Sequence, residues 1–273
     1  MKFSEVDIRT VRDYWDRKPC NIKHSNKELN TKEYFDDVEK KKYFVEPHIP
    51  KFAEFSKYKR KKVLEIGCGI GTDSINFARA GAKLTVIELS SKSLEICKKR
   101  FEIFNLKADF YLGNSEELSS FLPIDKYDLV YSFGVIHHTP NPEKTIEEIK
   151  IYMDIGSELK LMLYSKFSYK LFWVMKTTNQ WDFNKMEEII AKHSEAQTGC
   201  PVTYTFTFNE IKELLNGFRI EDMYKTHIFP YKIEPYKNHQ YIFDDCFKNM
   251  KKQDFEQMEK ELGWHTLIRA IKE

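Results

Sequence analysis

The sequence has no apolar run long enough to cross a bilayer. Its longest strongly apolar stretch is "LFWVM", residues 171–175, against the roughly 20 residues that a membrane helix needs. Paired cysteines are missing too. The five thiols, Cys20, Cys68, Cys97, Cys200 and Cys246, are odd in number, scattered and never in a CxxC pair. That pattern excludes a disulfide framework and a zinc knuckle, leads us to expect no metal, and fits reduced thiols in the cytoplasm. Neither sign of charge dominates: 44 Lys and Arg face 42 Asp and Glu, a formal net charge of +2, so nothing draws the whole chain toward nucleic acid. The one basic run, "KYKRKK" at 57–62, reads as a solvated linker. The opening "MKFSEVDIRTVRDYW" carries charges throughout and has no apolar core of the kind a secretory signal requires.

What is present is an alternation. "KVLEIG", "AKLTVIEL", "DFYLG", "YDLVYSF" and "SELKLMLYS" are short β-favouring runs. Helical patterns separate them: "TDSINFARAG" ending at Gly81, "SSKSLEICKKRFEIFNL" with Leu94, Cys97, Phe101 and Phe104 on one stripe, the short "SEELSSF", and "NPEKTIEEIKIYM" opened by Asn141 and Pro142. Such alternation predicts an α/β fold with a mostly parallel sheet and helices on both faces. Thr207 and Glu210 predict a capping box before "NEIKELL", and "FRIEDMYKTHIF" and "GWHTLIRAIK" predict two more strands. Residues 1–61, 166–206 and 229–262 break the alternation. They are aromatic-rich, are expected to be irregular, and are expected to act as an N-terminal lid and two lid insertions on a domain spanning 62–273.

Chemistry enters at "VLEIGCGIG", residues 63–71. A triphosphate loop needs Gly-Lys-Ser/Thr, which is absent. A dinucleotide loop needs G-x-G-x-x-G, and here the third glycine, Gly71, falls one residue early. Glu88, at the end of the second predicted strand, is placed to accept from both hydroxyls of a ribose. Glu65 puts a negative charge near the loop, which a pyrophosphate would resist and a cationic sulfonium or ammonium would welcome. "GNSEEL" offers the Asn114 amide to an adenine edge, and the fourth predicted strand runs into "SFGVIHHTPNP".

Together these four motifs resemble the class I S-adenosylmethionine-dependent methyltransferases, in particular the small-molecule, quinone-biosynthesis-like group. The resemblance is close over about residues 60–165. It implies a Rossmann-like seven-stranded sheet whose last strand is antiparallel, with S-adenosylmethionine across the C-terminal ends of the strands. It also implies that Glu65, Gly67, Gly69 and Gly71 line the methionine part, that Glu88 holds the ribose, that Asn114 and Ser115 lie beside the adenine, and that Ser132 and Phe133 flank the sulfonium. The family usually has aspartate where this chain has Asn114, but an amide oxygen can still accept from an adenine amino group.

The implied reaction moves a methyl group to an O, N or S nucleophile of a small polar metabolite. His137 or His138, after the fourth predicted strand, is expected to serve as base. Tyr14 and Trp15 are candidates to close over the cofactor, and His193, Glu195, Gln197, Tyr204, Tyr231 and Tyr241 to meet the acceptor. Cys20 and His24 form at most half of a metal site. The fourth motif lacks the Asn/Asp-Pro-Pro-aromatic form of nucleic-acid amino-methyltransferases and the aspartate cluster of magnesium-dependent catechol enzymes. Neither nucleic acid nor stable membrane association is expected. Two rival readings use the same loop: an NAD-dependent oxidoreductase, and a non-catalytic module that keeps the cofactor pocket.

Overall fold

The strands are β1 (Lys62–Ile66), β2 (Lys83–Glu88), β3 (Asp109–Leu112), β4 (Tyr127–Phe133), β5 (Met153–Tyr164), β6 (Phe218–Thr226) and β7 (His265–Lys272). In the computed structural model, which describes residues 2–197 and 199–273, apart from the side chains of 194–198, they form one sheet in the order β3-β2-β1-β4-β5-β7-β6. β7 pairs antiparallel with both of its neighbours, and the other pairings are parallel. Both faces are covered, so the central strands are apolar almost without a break. Leu64, Ile66, Val130, Leu159, Leu161 and Ile268 pack into one core layer. Val63, Leu129, Tyr131, Met162 and Leu267 pack into the other.

The helices are α1 (Ile8–Arg17), α2 (Lys32–Val45), α3 (His48–Ala53), α4 (Thr72–Arg79), α5 (Ser91–Ile103), α6 (Pro142–Ile151), α7 (Tyr169–Thr178), α8 (Met186–Gln197), α9 (Phe208–Leu214), α10 (Ile233–Lys237) and α11 (Lys252–Leu262). The Thr207–Glu210 capping box is formed on both sides. Pro142 opens α6, but the Asn141 side chain makes no capping bond. Met153, the last residue of the run expected to be helical, instead begins β5. "SEELSSF" forms a 3-10 helix, Ser115–Ser120.

The larger correction concerns the segments expected to be irregular. Residues 1–61 hold α1, α2 and α3, 166–206 hold α7 and α8, and 229–262 hold α10 and α11. Their dense aromatic and charged residues hide helical periodicity, because the aromatics pack against neighbouring segments as well as against the sheet.

Buried polar contacts fix the N-terminal helices to the sheet. Arg100 on α5 is fully buried. It donates to Thr72 Oγ1 at 2.9 Å and to Glu39 Oε2 on α2 at 2.8 Å. Lys160 on β5 reaches the C-terminal end of α3, donating to the Phe52 carbonyl at 2.8 Å and to Glu54 Oε2 at 2.6 Å. A cation there satisfies carbonyls that the helix leaves open. Removing the Glu39 carboxylate strands the Arg100 guanidinium in the interior. Glu39→Ala is therefore expected to lower stability by about 2–4 kcal/mol in urea titrations; an unchanged midpoint would show that the pair does not anchor α2.

Candidate functional site

The C-terminal ends of β1, β2, β3 and β4 open onto one cavity of about 280 Å3. Gly67, Gly69, Glu88, Asn114, Ser115, Phe133, His138 and Trp15 all line it. The glycine loop explains its shape. Gly67, Gly69 and Gly71 have positive φ, a region in which only glycine is unstrained. A Cβ on Gly67 would meet Val135 Cγ2 at 2.3 Å, and one on Gly71 would meet the Cys97 sulfur at 2.6 Å. A Cβ on Gly69 would find only Cys20, at 3.9 Å. Gly67 and Gly71 are thus packing glycines, whereas Gly69 faces open space.

Glu88 holds the loop in place. Its Oε2 accepts from the Gly69 amide at 2.8 Å and its Oε1 from the Ser90 amide at 2.9 Å. Burial pushes its pKa upward, and those amides act against the push. Each carboxylate oxygen retains acceptor capacity toward the cavity. Asn114 Oδ1 accepts from the Glu116 amide at 3.1 Å, capping the 3-10 helix. That oxygen keeps a second lone pair, so the side chain can still accept through Oδ1 as well as donate through Nδ2.

Three residues expected on the cofactor lie beneath the lining instead. Gly71 packs on Cys97, as described above. Ser132 is buried and donates to the Ile66 carbonyl at 3.0 Å, tying β4 to β1. Glu65 is buried, with Oε2 lacking any hydrogen-bond partner. Burial, followed by the nearby Asp73 carboxylate, pushes its pKa up to about 8.

The histidine pair divides. His138 lines the cavity, with its Nδ1 2.7 Å from the Val202 carbonyl. A carbonyl only accepts, so Nδ1 carries the proton and the basic lone pair is on Nε2. His137 is fully buried against Tyr164, their ring centroids 3.7 Å apart, and neither of its ring nitrogens has a partner. Burial holds its pKa well below the ordinary value, and it does not reach the lining.

Among the aromatic candidates, Trp15 lines the cavity and meets His138 edge-on at 5.3 Å, whereas Tyr14 is buried behind it. Tyr204 is structural: its hydroxyl accepts from the Phe3 amide at 2.9 Å and donates to the Pro140 carbonyl at 3.1 Å. His193 lies on α8 and lines neither this cavity nor the one described next, and the side chains of Glu195 and Gln197 lie outside the described residues. Tyr231 lines a second cavity, of about 250 Å3, and Tyr241 packs against Tyr231 at 5.5 Å. Cys20 and His24 do not share a helix face, because the 3-10 helix there covers only Ile22–His24.

Sequence reasoning missed the residues joining the two cavities. Tyr164, at the end of β5, and His265, at the start of β7, line both. Lys42 and Glu46, from α2 and its end, line the first. His227, just beyond β6, lines the second. His48, His227 and His265 gather so that one nitrogen from each lies within 4.8 Å of the others. Their signals in sequence, "EPH", "KTHIFPY" and "GWH", have no fixed spacing. Only the strand ends bring them together. Burial holds the pKa of His48 down to about 3 and that of His227 to about 4.

Residues 63–154 match the methyltransferase domain family. That match, which includes the glycine loop, supports reading the chain as an S-adenosylmethionine-dependent methyltransferase. It is 27% identical over 168 residues to a ubiquinone biosynthesis O-methyltransferase of Actinobacillus pleuropneumoniae serotype 5b, covering 56% of this chain and 72% of that protein. It is 35% identical over 86 residues to the Azoarcus sp. protein of the same name, covering 32% of this chain and 36% of that one. In fold it is similar to magnesium protoporphyrin IX methyltransferase from Synechocystis PCC 6803 with bound SAH. The TM-score is 0.62 at 17% identity, over 98% of this chain and all of that one.

The comparisons favour the methyltransferase reading over the oxidoreductase one. The residues present fit the cofactor: an open glycine turn and a carboxylate held in place at a strand end. The raised Glu65 pKa has a testable sign. Between about pH 4.5 and 8 the unfolded chain has lost a proton that the folded chain still binds, so stability falls as pH rises. Glu65→Gln is expected to flatten that fall by roughly 3–4 kcal/mol between pH 5 and 8. Urea titrations at the two pH values would show it, and parallel profiles for parent and variant would refute it.

Proposed function

We propose that this methyltransferase acts on a nucleophilic atom of a small polar metabolite that enters through the second cavity. The observation carrying this reading is the shared wall: Tyr164 and His265 border both cavities. The second cavity mixes Tyr169, Trp173 and Tyr231 with Lys170 and Asp244, a lining suited to a ring or chain bearing hydroxyl or charged groups. The curated relatives are O-methyltransferases by name, which favours oxygen as the acceptor atom. The near-neutral charge of the chain supports a small molecule over nucleic acid, and cysteines that form no disulfide among the described residues support a reducing, cytoplasmic setting. Among the described residues no helix is long and apolar enough to cross a membrane.

S-adenosylmethionine supplies a methyl group on a sulfonium sulfur, open to in-line displacement. In our reading Glu88 accepts from the ribose, Asn114 and Ser115 meet the adenine, and the Gly67–Gly69 backbone makes room for the methionine part. Phe133 lines the cavity, where its ring would stabilise a cationic sulfur by about 0.5–2 kcal/mol. The 1–61 segment acts as a lid, with Trp15 closing one side and Lys42 and Glu46 another. The 166–206 and 229–262 segments, which supply Tyr169, Trp173 and Tyr231, roof the acceptor side and keep water from competing. His138, with its lone pair on Nε2, takes the acceptor's proton.

Two experiments test this. Calorimetry with S-adenosylhomocysteine is expected to show one site per chain. Glu88→Ala should weaken it roughly 10- to 150-fold through loss of charge-assisted bonds, and Gly69→Val should abolish it by filling the open turn. Retained binding in Gly69→Val would refute the placement. For the base, His138→Asn is expected to cut turnover by about 100-fold or more with cofactor affinity kept. Labelled S-adenosylmethionine and a metabolite extract provide the assay, and undiminished turnover would remove His138 from that role.

A further inference from the structure

We propose that His48, His227 and His265 bind one divalent transition-metal ion of the zinc type at the border between the two cavities, leaving one coordination position open toward the acceptor. Three imidazoles on one point are a zinc donor set, and three protein ligands with an open fourth position are the catalytic form of that set.

The geometry is close to what an ion requires. His48 Nε2 and His265 Nδ1 face each other at 3.1 Å. Two nitrogens bound to one tetrahedral ion at about 2.05 Å stand about 3.3 Å apart. A nitrogen of His227 completes a triangle with no side above 4.8 Å. The rings are packed together, with His265 buried and His48 and His227 half-buried. The His227 ring stacks on His265, their centroids 4.4 Å apart.

The backbone holds the set in place. His227 adopts φ +70, an uncommon conformation for a residue with a side chain. Its carbonyl accepts from the Trp264 amide at 2.9 Å, directly beside His265. Register across the sheet places Thr226 opposite His265 and His265 opposite Tyr164. The Glu46 carboxylate lies 3.8 Å from His265 Nδ1, adding the negative charge that a cation site favours. The 250 Å3 cavity gives an entry path past His227 and His265.

The position suits the chemistry. Phe133, on the cofactor cavity, lies 6.0 Å from His48 and 5.8 Å from His265. An acceptor hydroxyl on the open position would give up its proton to the base or to water more readily, as metal-bound water does. Only this role rests on the methyltransferase reading; the binding of the ion does not.

The test uses the full chain, stripped with a chelator and titrated with Co2+ as a coloured probe. One ion per chain with the visible bands of four-coordinate Co2+, bleached by added Zn2+, is expected. His227→Asn, which tolerates positive φ, should weaken Co2+ binding by at least about tenfold while binding S-adenosylhomocysteine as the parent does. His48→Ala gives a second reading, with the circular dichroism melt confirming that it folds. Absence of the bands in the folded parent, or affinity unchanged in both variants, would overturn the proposal. Failure of the parent to bind S-adenosylhomocysteine would instead overturn the cofactor reading and the role given to the open position.

Discussion

The carboxylate of Glu88 is the constraint on which the site depends. It accepts one amide from the loop after β1 and another from the start of α5. A single buried charge therefore fixes a strand end, a glycine turn and a helix. Without it, the turn around Gly69 would be free to collapse into the crevice that the parallel strands leave at their C-terminal ends. The burial cost shows in its raised pKa, and the amides that offset it are the ones that shape the cavity. Gly67 and Gly71 serve the same end by allowing Val135 and Cys97 to close against the backbone.

A second buried carboxylate ties the N-terminal helices to this frame. Asp73, at the start of α4, accepts from Lys42 at 3.1 Å and Tyr43 at 3.0 Å through Oδ1, and from Tyr131 at 2.9 Å through Oδ2. One side chain thus joins α2, α4 and β4. Because α2 is held there, Lys42 and Glu46 stand on the cavity wall rather than in solvent. The same carboxylate contributes to the raised pKa of Glu65, so cap docking and the charge state beneath the glycine loop are coupled through one residue.

How much of this was legible in sequence follows from how local each signal is. The strand-turn-helix unit around residues 63–79, Glu88 at its strand end and the capping box at Thr207 are all fixed by near neighbours, and all were readable. The helices in the three interrupting segments were not. Their apolar residues answer to two or more partners at once, which blurs the period of 3.6. Of the histidine pair, sequence could give only position. Rotation about one backbone step decides that His138 faces the cavity while His137 packs under Tyr164. Glu65 was read as a negative charge on the lining; the structure buries it beneath the lining, where its raised pKa favours the protonated form, because a strand's alternation does not say which face the ligand uses.

The least legible part is also where the fold departs from simple winding. β7 runs against its neighbours and inserts between β5 and β6. Its first residue, His265, therefore lands at the edge where β5 and β6 end, beside Tyr164 and next to His227. Parallel strands alone would bring only residues that follow a strand to that edge. The reversed strand adds one that precedes it, and α3 supplies His48 from the opposite side. The regular half of the sheet can thus hold a cofactor common to many enzymes, while the irregular half gathers side chains that no short motif records. In the proposed function, specificity for the acceptor lies on that side, because its groups can change without disturbing the Glu88–Gly69 bond that shapes the crevice.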